Sequence, residues 1–302
     1  MICEVIVDIA HSEVDKIFDY VCDVPVQAGA RVAVPFGRSA ATGFVIRVKE
    51  TSDYPADKLK KVYRVEEGTP ALNAECLSLA AAVAKRYRVP LALSLRLFIP
   101  PEMRTGKVAE TYRTFARFAE DVLIKNAPQQ AACLAFLRQN GETDAAVLRA
   151  KFGGAVNALV KKGGIVLEKR RVLRDPYKDV ESKAAEHALT QMQRRAVEAV
   201  QGTDKTVTLL HGVTGSGKTE VYLTLIADAL QKGKTALFLV PEISLTPQML
   251  AQLRARFGSA VAILHSGLSA GERFDEWQRL REGSARIAVG ARSAVFAPVE
   301  NG

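Results

Sequence analysis

The sequence predicts a multidomain chain that combines an α+β part with an α/β part. At 302 residues, it is long enough for about two domains or three small ones. β-Branched residues cluster near the N-terminus, whereas strand and helix patterns alternate in the last third. With 48% hydrophobic and 25% charged residues, the composition is typical of a folded globular protein. We therefore predict three domains, over residues 1–105, 112–178 and 186–302.

The first domain is predicted to be rich in β-structure. Glycine and proline separate its strand-like runs, as turns would. Apolar residues spaced three and four apart after Pro70 predict a helix that ends before Pro100. The strand-like runs, in which β-branched residues alternate or follow one another, are residues 3–10, 30–34 and 42–48.

The second domain is predicted to contain three short helices followed by a ribbon. Asn140-Gly141 and Gly153-Gly154 end the first two helices. This order is typical of a winged helix-turn-helix, which usually places its third helix in a DNA groove. A winged helix used only for packing or protein contact has the same order. The predicted elements are helices 129–139, 144–152 and 155–162 and a strand 165–172.

Positive charge is concentrated in this second domain. The chain carries +9 overall, and residues 111–180 hold 13 basic against 7 acidic side chains, which is +6 of that total. Such an excess favours a polyanionic partner, although a solvated charged face has the same composition. The residues predicted to lie along DNA phosphates are Lys161, Lys162, Lys169, Arg170 and Arg171.

The third domain is predicted to be a parallel sheet covered by helices on both faces. Short apolar strands alternate with segments of helical spacing, which is the order of an α/β domain. The predicted strands are 206–210, 235–240, 260–265 and 286–289, and the helices are 218–230, 247–257 and 270–281.

The strongest motif fits G-x-x-x-x-G-K-[ST] and lies between a predicted strand and a predicted helix. In this motif, glycines let backbone N–H groups point at phosphates, the lysine contacts β and γ oxygens, and the last hydroxyl reaches Mg²⁺. The motif predicts an ATP site with Lys218 and Thr219 as catalytic residues, and no metal other than Mg²⁺ held through Thr219. The nucleotide-binding residues are Gly212, Val213, Thr214, Gly215, Ser216, Gly217, Lys218 and Thr219.

Gln193, upstream of this loop, is a candidate for binding the adenine base. A glutamine side chain offers both donors and an acceptor, and so it can pair with both kinds of group on adenine. Thr190 three residues earlier is also a good N-cap, and a simple helix start explains the same pattern.

Polar residues follow two of the predicted strands directly, over residues 240–248 and 290–298. In an open parallel sheet, ligands bind at the carboxyl ends of the strands. Arg292 and Ser293 are therefore predicted to contact a phosphodiester backbone, although caps and turns use the same residue types.

Composition excludes some classes of protein. No segment approaches the ~18 uncharged apolar residues of a membrane helix, and the N-terminus lacks a basic leader. Four cysteines lie far apart, without a C-x-x-C pair. We therefore expect reduced thiols, a cytoplasmic location and no membrane partner.

Five motifs, in this order and spacing, resemble the PriA family of bacterial replication-restart DNA helicases of superfamily 2. Three short N-terminal motifs resemble the family's domain that holds the 3′ end of the nascent leading strand, so the resemblance covers essentially the whole chain. The five motifs are LT-x-x-Q from Leu189, GVTGSGKTEVY from Gly212, VPEISLTPQ from Val240, LHSGLS from Leu264 and GARSAVFAP from Gly290. The three N-terminal motifs are FDY from Phe18, VPFG from Val34 and LKKV from Leu59.

This resemblance implies a β-rich 3′-end-binding domain, a winged helix and one P-loop RecA-like helicase lobe that is incomplete. It implies an ATP-dependent 3′-to-5′ helicase, with ATP and Mg²⁺ as cofactors and zinc only in a later cysteine-rich module. Its implied partners are replication forks with a nascent 3′ end, single-stranded DNA, and primosome and single-strand-binding proteins. The residues implied to line the 3′-end pocket are Phe18, Asp19, Gly37 and Lys60.

The family's Asp-Glu-Glu-His motif, which holds Mg²⁺, has no counterpart in this sequence. The chain's one Asp-Glu pair, Asp275-Glu276, falls in a predicted amphipathic helix. We therefore expect that this chain, without the second half of the motor, does not hydrolyse ATP. Two alternatives stay open: a non-catalytic DNA-fork-binding module and a nucleotide-gated transcription regulator.

Overall fold

A computed structural model describes residues 1–9, 11–66, 71–104, 108–177, 188–241 and 245–299. The chain divides into two compact units. One contains Met1–Ala109 together with Pro176–Gly302, and the other contains Glu110–Asp175. The first and third predicted domains therefore lie in one compact unit, and the second has a unit of its own.

The N-terminal part of the larger unit is a six-stranded sheet, as far as its described residues show. Its spatial order is β5-β2-β1-β4-β3-β6, and β1 pairs antiparallel with both β2 and β4. The strands are β1 Ile2–Val7, β2 Ile17–Val21, β3 Arg31–Phe36, β4 Ser39–Lys49, β5 Lys60–Lys61 and β6 Arg64–Val65.

The two edges of this sheet meet at the segment that joins β5 to β6. The N–H of Val62 donates to the carbonyl of Val21 on β2 at 2.9 Å, and the N–H of Tyr63 donates to the carbonyl of Ala33 on β3 at 2.8 Å. Consecutive residues thus bind strands from opposite sides of the sheet, which curls into a partly closed barrel. Buried apolar side chains of β1 to β4 fill its interior.

Three helices follow the barrel and pack on its outer side. The first begins at Asn73, whose side chain accepts from the N–H of Cys76 at 2.8 Å, and ends at Arg88, which has φ 52°. The helices are α1 Ala74–Tyr87, α2 Leu91–Leu95 and α3 Pro101–Arg104. They bury a second cluster against β1 and β4.

The C-terminal part of the larger unit is an α/β layer with three described strands. All of its strand pairs are parallel, and β12 lies in the centre of the order β10-β12-β11. The strands are β10 Ala236–Leu239, β11 Val261–Leu264 and β12 Ile287–Gly290. The helices are α7 Gln191–Gln201, α8 Lys218–Gln231, α9 Pro247–Phe257 and α10 Ala270–Arg281.

The predicted strand at 206–210 is wrong. These residues form no ladder in the described structure, and the side chains of Val207 and Leu209 are 84% and 87% exposed. An alternating apolar pattern makes a segment able to pair, but a strand exists only where a neighbouring strand offers its N–H and C=O groups. The described sheet offers no such partner to this segment.

Helix α10 is not amphipathic as predicted, because all seven residues from Phe274 to Leu280 are buried. One side packs on β11, where the N–H of Ile263 donates to the Glu276 carboxylate at 2.7 Å. The other side packs on the N-terminal helices, where Trp277 Nε1–H donates to the carbonyl of Phe98 at 3.1 Å. The N-terminal and C-terminal parts of this unit therefore share one core.

The unit at 110–175 contains the three predicted helices and a three-stranded antiparallel sheet of order β8-β7-β9. The sequence analysis missed β7, which precedes the helices and pairs with β9, so the predicted ribbon is formed by strands from opposite ends of the unit. The elements are β7 Tyr112–Phe118, α4 Pro128–Asn140, β8 Thr143–Asp144, α5 Ala145–Phe152, α6 Ala155–Lys161 and β9 Ile165–Arg171.

None of the helices in the described part of the chain is long and apolar enough to span a membrane. The four cysteines are buried thiols at Cys3, Cys22, Cys76 and Cys133.

Glu4 on the outer face of the barrel predicts a dependence of stability on pH. Arg47 donates to both of its carboxylate oxygens at 2.8 Å, and Lys49 adds a third contact at 3.0 Å. These hydrogen bonds, of which the one from Arg47 has the largest effect, lower the pKa of Glu4 to about 2. An unfolded glutamate has a pKa of ~4.3, so the stabilisation is present above that pH and is lost as the pH falls towards 2.

We expect wild type to lose about 1 kcal/mol more stability than Glu4→Gln between pH 5 and pH 2, a modest value because Arg47 is 68% exposed. Urea unfolding at both pH values measures the difference. The exposed Glu50 makes no ion pair among the described residues, so Glu50→Gln should behave like wild type. Identical acid sensitivity of wild type and Glu4→Gln would contradict the prediction.

Candidate nucleotide and DNA-binding sites

The P-loop precedes helix α8, and its glycines are required by the backbone. Gly215 and Gly217 have φ values of +81° and +79°, in the left-handed region that favours glycine. A Cβ on Gly217 would lie 2.1 Å from Nε2 of Gln193, and one on Gly212 would lie 2.8 Å from the hydroxyl of Ser216. The loop is therefore a tight, exposed turn at a helix N-terminus, a geometry suited to binding phosphate.

Lys218 is the first residue of α8, and its ammonium lies over this loop. Nζ donates to the carbonyls of Gly212 and Val213 at 2.7 and 2.9 Å. Lys218 and Thr219 also line a cleft of about 550 Å³ beside the ends of β10 and α9. A cation held by carbonyl oxygens can exchange them for anionic phosphate oxygens, so these residues fit a nucleotide with its Mg²⁺.

Gln193 holds the start of α7 against the P-loop. Its Oε1 accepts from the N–H of Thr190 at 2.8 Å, and its own N–H donates to the Thr190 hydroxyl at 3.3 Å, which is a capping box. Nε2 donates to the carbonyl of Gly217 at 3.3 Å. Gln193 therefore takes part in a helix cap, as the alternative explanation required, and its contact with adenine stays a prediction.

Glu220, which the sequence analysis missed, links the P-loop helix to α9. Its carboxylate accepts from Nε2 of Gln252 at 2.5 Å and from Nη1 of Arg256 at 3.0 Å. Helix α9 begins at Thr246, whose side chain lines the same cleft as Lys218. The i,i+4 spacing of Gln252 and Arg256 places both on one helix face, which was the available signal in the sequence.

The carboxyl ends of β10, β11 and β12 meet at one edge of the sheet. Arg292 and Ser293 follow β12 in a 3₁₀ turn and are exposed there. The N–H of Val240 after β10 donates to the carbonyl of Gly290 at 2.9 Å, which ties the two strand ends together. Residues 242–244 of the motif after β10 lie outside the described residues. A DNA contact of Arg292 and Ser293 stays a prediction.

A second cavity, of about 440 Å³, opens at one end of the barrel. Two of the four residues implied to bind a 3′ end, Gly37 and Lys60, line it. Gly37 has φ +59° and turns β3 into β4, with nothing within 4 Å of the position of a Cβ. The lining residues are Pro35, Gly37, Arg38, Ser39, Lys60, Lys61 and Tyr63.

Phe18 and Asp19, the other two implied residues, do not line this cavity. They are neighbours on β2, so their side chains point to opposite faces of the sheet. Phe18 is half-buried and packs against the interior cluster of the barrel, with its ring centroid 5.4 Å from that of Phe36. Asp19 lies on the outer face, where its carboxylate pairs with Lys49 at 2.8 Å and accepts from the Ser52 hydroxyl. A role for either in DNA binding stays a prediction.

The basic residues of the unit at 110–175 differ in their partners. Arg170 donates to both oxygens of Glu142, at 2.8 and 2.7 Å, and also pairs with Glu168. Arg171 pairs with Glu110 at 3.2 Å. The three lysines 161, 162 and 169 make no ion pair among the described residues. Their ammonium groups therefore supply most of the uncompensated charge in the predicted DNA-binding set.

Comparison with known proteins gives matches to both parts of the larger unit. Residues 4–100 match a 3′ DNA-binding domain (3′BD) of PriA, and residues 190–301 match a DEAD/DEAH box helicase. The replication restart protein PriA of Bacillus subtilis is 35% identical over 99% of this chain and 47% of its own length. The PriA of Haemophilus influenzae is 33% identical over 95% of this chain and 41% of its own length.

The chain thus spans about half the length of these relatives, or somewhat less. Its barrel coincides with the 3′ DNA-binding domain match, and its P-loop and strand-end turns lie within the helicase match. We conclude that the chain belongs to the PriA family, with a β-rich 3′ DNA-binding domain followed by a DEAD/DEAH box helicase region.

Proposed function

We propose that this chain supplies the DNA-docking and nucleotide-binding part of an ATP-dependent 3′-to-5′ DNA helicase. Such a helicase recognises stalled or abandoned replication forks in the cytoplasm and initiates replication restart. The observation that carries the proposal is that the P-loop, Arg292 and Ser293 lie in the same compact unit as a domain matched to 3′ DNA binding. Forks with a nascent 3′ end and single-stranded DNA are its ligands, and primosome and single-strand-binding proteins are its protein partners.

Within this proposal, Lys218 and Thr219 hold the nucleotide. Bound Mg-ATP supplies the free energy of phosphoryl transfer. Lys218 balances charge on the phosphates, Thr219 offers its hydroxyl to the metal, and Gln193 holds the P-loop in shape through Gly217. The contact of Glu220 with α9 connects the P-loop helix to residues at the strand ends. Zinc belongs to a further module of the family and is assigned to no residue here.

We further propose that this chain alone binds ATP without turning it over. Its Asp-Glu pair, Asp275-Glu276, is buried in α10, and burial raises the pKa of Glu276. Glu276 is engaged by the N–H of Ile263 and by Arg279 at 2.6 Å, so it does not reach the P-loop cleft. Steady DNA-stimulated hydrolysis by these 302 residues would overturn this part of the proposal.

A fork-unwinding assay tests the function as a whole. It compares the protein encoded by the complete gene with the same protein carrying Lys218→Ala, on forks with a recessed 3′ hydroxyl. ATP-dependent unwinding that the variant lacks supports the helicase. Fork binding without unwinding by either protein supports the second candidate, a non-catalytic fork-binding module. A preference for a palindromic operator would instead favour a nucleotide-gated transcription regulator.

For residues 110–175 we propose a winged helix that contacts duplex phosphates. The three lysines, which make no ion pair among the described residues, carry this contact, because Arg170 is already compensated by two carboxylates. Replacing lysines 161, 162 and 169 together with glutamine is expected to reduce the slope of log affinity against log salt by up to about 2.7, at ~0.9 per lost phosphate contact.

The matched control is Arg170→Gln, which also removes one positive charge but is expected to change the slope by less than about 0.5. Titrations of a duplex-armed fork at four salt concentrations give both slopes. An unchanged slope in the triple variant would mean that this surface does not bind DNA.

A further inference from the structure

A group of exposed cations surrounds the C-terminal end of helix α1. The sequence from Cys76 to Pro101 contains four basic residues and no Asp or Glu. One of the four, Arg96, is paired with Asp8 at 2.6 Å. The other three are exposed, and they make no ion pair among the residues that the structure describes. These three cations are Lys85, Arg86 and Arg88.

Tyr87 adds an exposed aromatic ring to these cations. Its side chain is 71% exposed, and it is the last residue of α1, so the helix fixes the backbone that carries the ring. In sequence it lies between Arg86 and Arg88. Proteins bind single-stranded nucleic acid by combining cations, which contact the phosphates, with aromatic rings, on which the bases stack. The end of α1 offers both kinds of side chain to solvent.

Arg88 occupies a backbone position that favours glycine. It has φ 52° and ψ 45°, in the left-handed region, where a Cβ is disfavoured. The N–H groups of Arg88 and Val89 both donate to the carbonyl of Ala84, and this turn ends the helix before Pro90. Glycine would form the same turn with less strain. The geometry of the helix end therefore does not account for an arginine at this position.

Cations at a helix C-terminus also have a structural use. They interact favourably with the partial negative charge of the last carbonyl groups. Lys85 and Arg86 lie in the last turn of α1 and fit this explanation. It does not account for the exposed ring of Tyr87 or for the strained backbone of Arg88. A binding surface accounts for all four residues together.

We propose that the C-terminal end of α1 binds an internal stretch of single-stranded DNA, with Tyr87 stacked on a base and Lys85, Arg86 and Arg88 on phosphates. This inference rests on the proposed function, which supplies single-stranded DNA as a ligand. None of the four residues lines the cavity at the end of the barrel, so the surface is separate from that cavity. An exposed helix end requires no strand terminus, and stacking accepts every base because each has a π face.

The test is a binding titration of the full chain with a closed circle of single-stranded DNA, which has no 3′ end. Replacing Lys85, Arg86 and Arg88 together with glutamine is expected to reduce the slope of log affinity against log salt by up to about 2.1, at ~0.7 per phosphate contact on a single strand. Lys58→Gln removes an exposed lysine that makes no ion pair in the described part of the chain, and it should leave the slope unchanged. An unchanged slope in the triple variant would overturn the proposal.

The stacking role of Tyr87 has its own test. Tyr87→Ala should bind the circle about tenfold more weakly than wild type, because one stacked base is lost, whereas Tyr87→Phe should bind like wild type. Tyr54→Ala removes a ring that is 68% exposed but lies between Asp53 and Asp57 in the sequence, and it should also bind like wild type. An abasic circle should bind wild type and Tyr87→Ala equally. Equal losses for Tyr87→Ala and Tyr54→Ala would show that Tyr87 does not stack on a base.

Arg88→Gly separates DNA binding from a structural role. It relieves the left-handed backbone conformation, so the melting temperature should rise by about 2 °C, while the salt slope should fall by ~0.7. Arg88→Gln keeps the strained backbone and should lower the slope equally without raising the melting temperature. A lower melting temperature with an unchanged slope for Arg88→Gly would show that Arg88 serves only the helix end.

Failure of the underlying function has a different result. If wild type binds neither forks nor circles, the proposed helicase function fails. If wild type binds both and the triple variant binds the circle equally well, that function stands and the end of α1 is not a DNA site. Binding of a polyglutamate peptide that the triple variant loses, with its affinity for the circle unchanged, would assign this surface to an acidic protein partner and overturn the DNA proposal.

Discussion

Replacing Trp277 with alanine is expected to lower the free energy of unfolding by about 3 to 5 kcal/mol. The side chain is 3% exposed and lies in the cluster formed by the N-terminal helices and α10. Its removal leaves a large cavity and also leaves the carbonyl of Phe98 without the indole donor that is now 3.1 Å away. Both losses fall at the core that joins the N-terminal and C-terminal parts of the larger unit.

Urea unfolding followed by circular dichroism measures this change. Trp277→Phe keeps an aromatic ring but loses the hydrogen bond and part of the buried ring volume, so it should cost less than Trp277→Ala, about 1 to 2 kcal/mol. Leu79→Ala is the exposed control on α1, where the side chain is 42% exposed, and it should cost much less than Trp277→Ala. A loss below about 1 kcal/mol for Trp277→Ala would show that the two parts do not share a core.

Replacing Lys218 with alanine is expected to weaken nucleotide binding by about a hundredfold or more, because a charge-assisted contact to two phosphates is lost. The ammonium now lies 2.7 and 2.9 Å from two carbonyls of the P-loop, so it is already positioned over the phosphate-binding turn. Removing it leaves the glycine backbone without a cation, and the loop alone binds phosphate weakly.

Titration of a fluorescent ADP or ATP analogue into the chain gives both affinities. Lys234→Ala removes an exposed lysine just after α8, outside the P-loop, and should leave nucleotide affinity unchanged. Lys218→Arg keeps the charge on a larger head group and should bind with intermediate affinity. Equal nucleotide affinity in wild type and Lys218→Ala would mean that the motif does not form a nucleotide site in this chain.

Sequence-based prediction was most accurate for structures that are determined by neighbouring residues. The P-loop depends on glycines that adopt positive φ and on a lysine at the next helix start, and both lie within eight residues. The capping box at Thr190 and Gln193 is local in the same way. Helices α1, α8 and α9 follow from apolar spacing together with their caps.

The shared core and strand β7 could not be predicted, because they depend on contacts between residues that are far apart in the sequence. Trp277 and Phe98 are 179 residues apart, and nothing near either residue indicates the other. Strand β7 forms because β9, about 50 residues later, pairs with it, whereas residues 206–210 have the strand pattern without a partner. Strand formation is a property of the pair and not of the segment.

The candidate 3′-end pocket shows a different limit. The resemblance implies that Phe18 and Asp19 both bind a 3′ end, which stays a prediction, and alternation along β2 places their side chains on opposite faces of the sheet. The sequence contained that information, and reading FDY as a strand would have put Phe18 with Tyr20 and apart from Asp19. Tyr63, which lines the cavity at the end of the barrel, had no motif to mark it, because its exposure follows from the closure of the barrel.

The packing of α10 on the N-terminal helices also constrains the order in which the chain matures on the ribosome. Phe98 emerges 179 residues before Trp277, its hydrogen-bond partner. At ~5 to 20 residues per second, the apolar side of α2 and its neighbours is uncovered for about 10 to 40 seconds of translation. During that interval the nascent barrel can be complete while Leu95 and Phe98 still face solvent. We therefore expect that slower synthesis over this stretch prolongs the exposure of these apolar side chains and increases the need for chaperones.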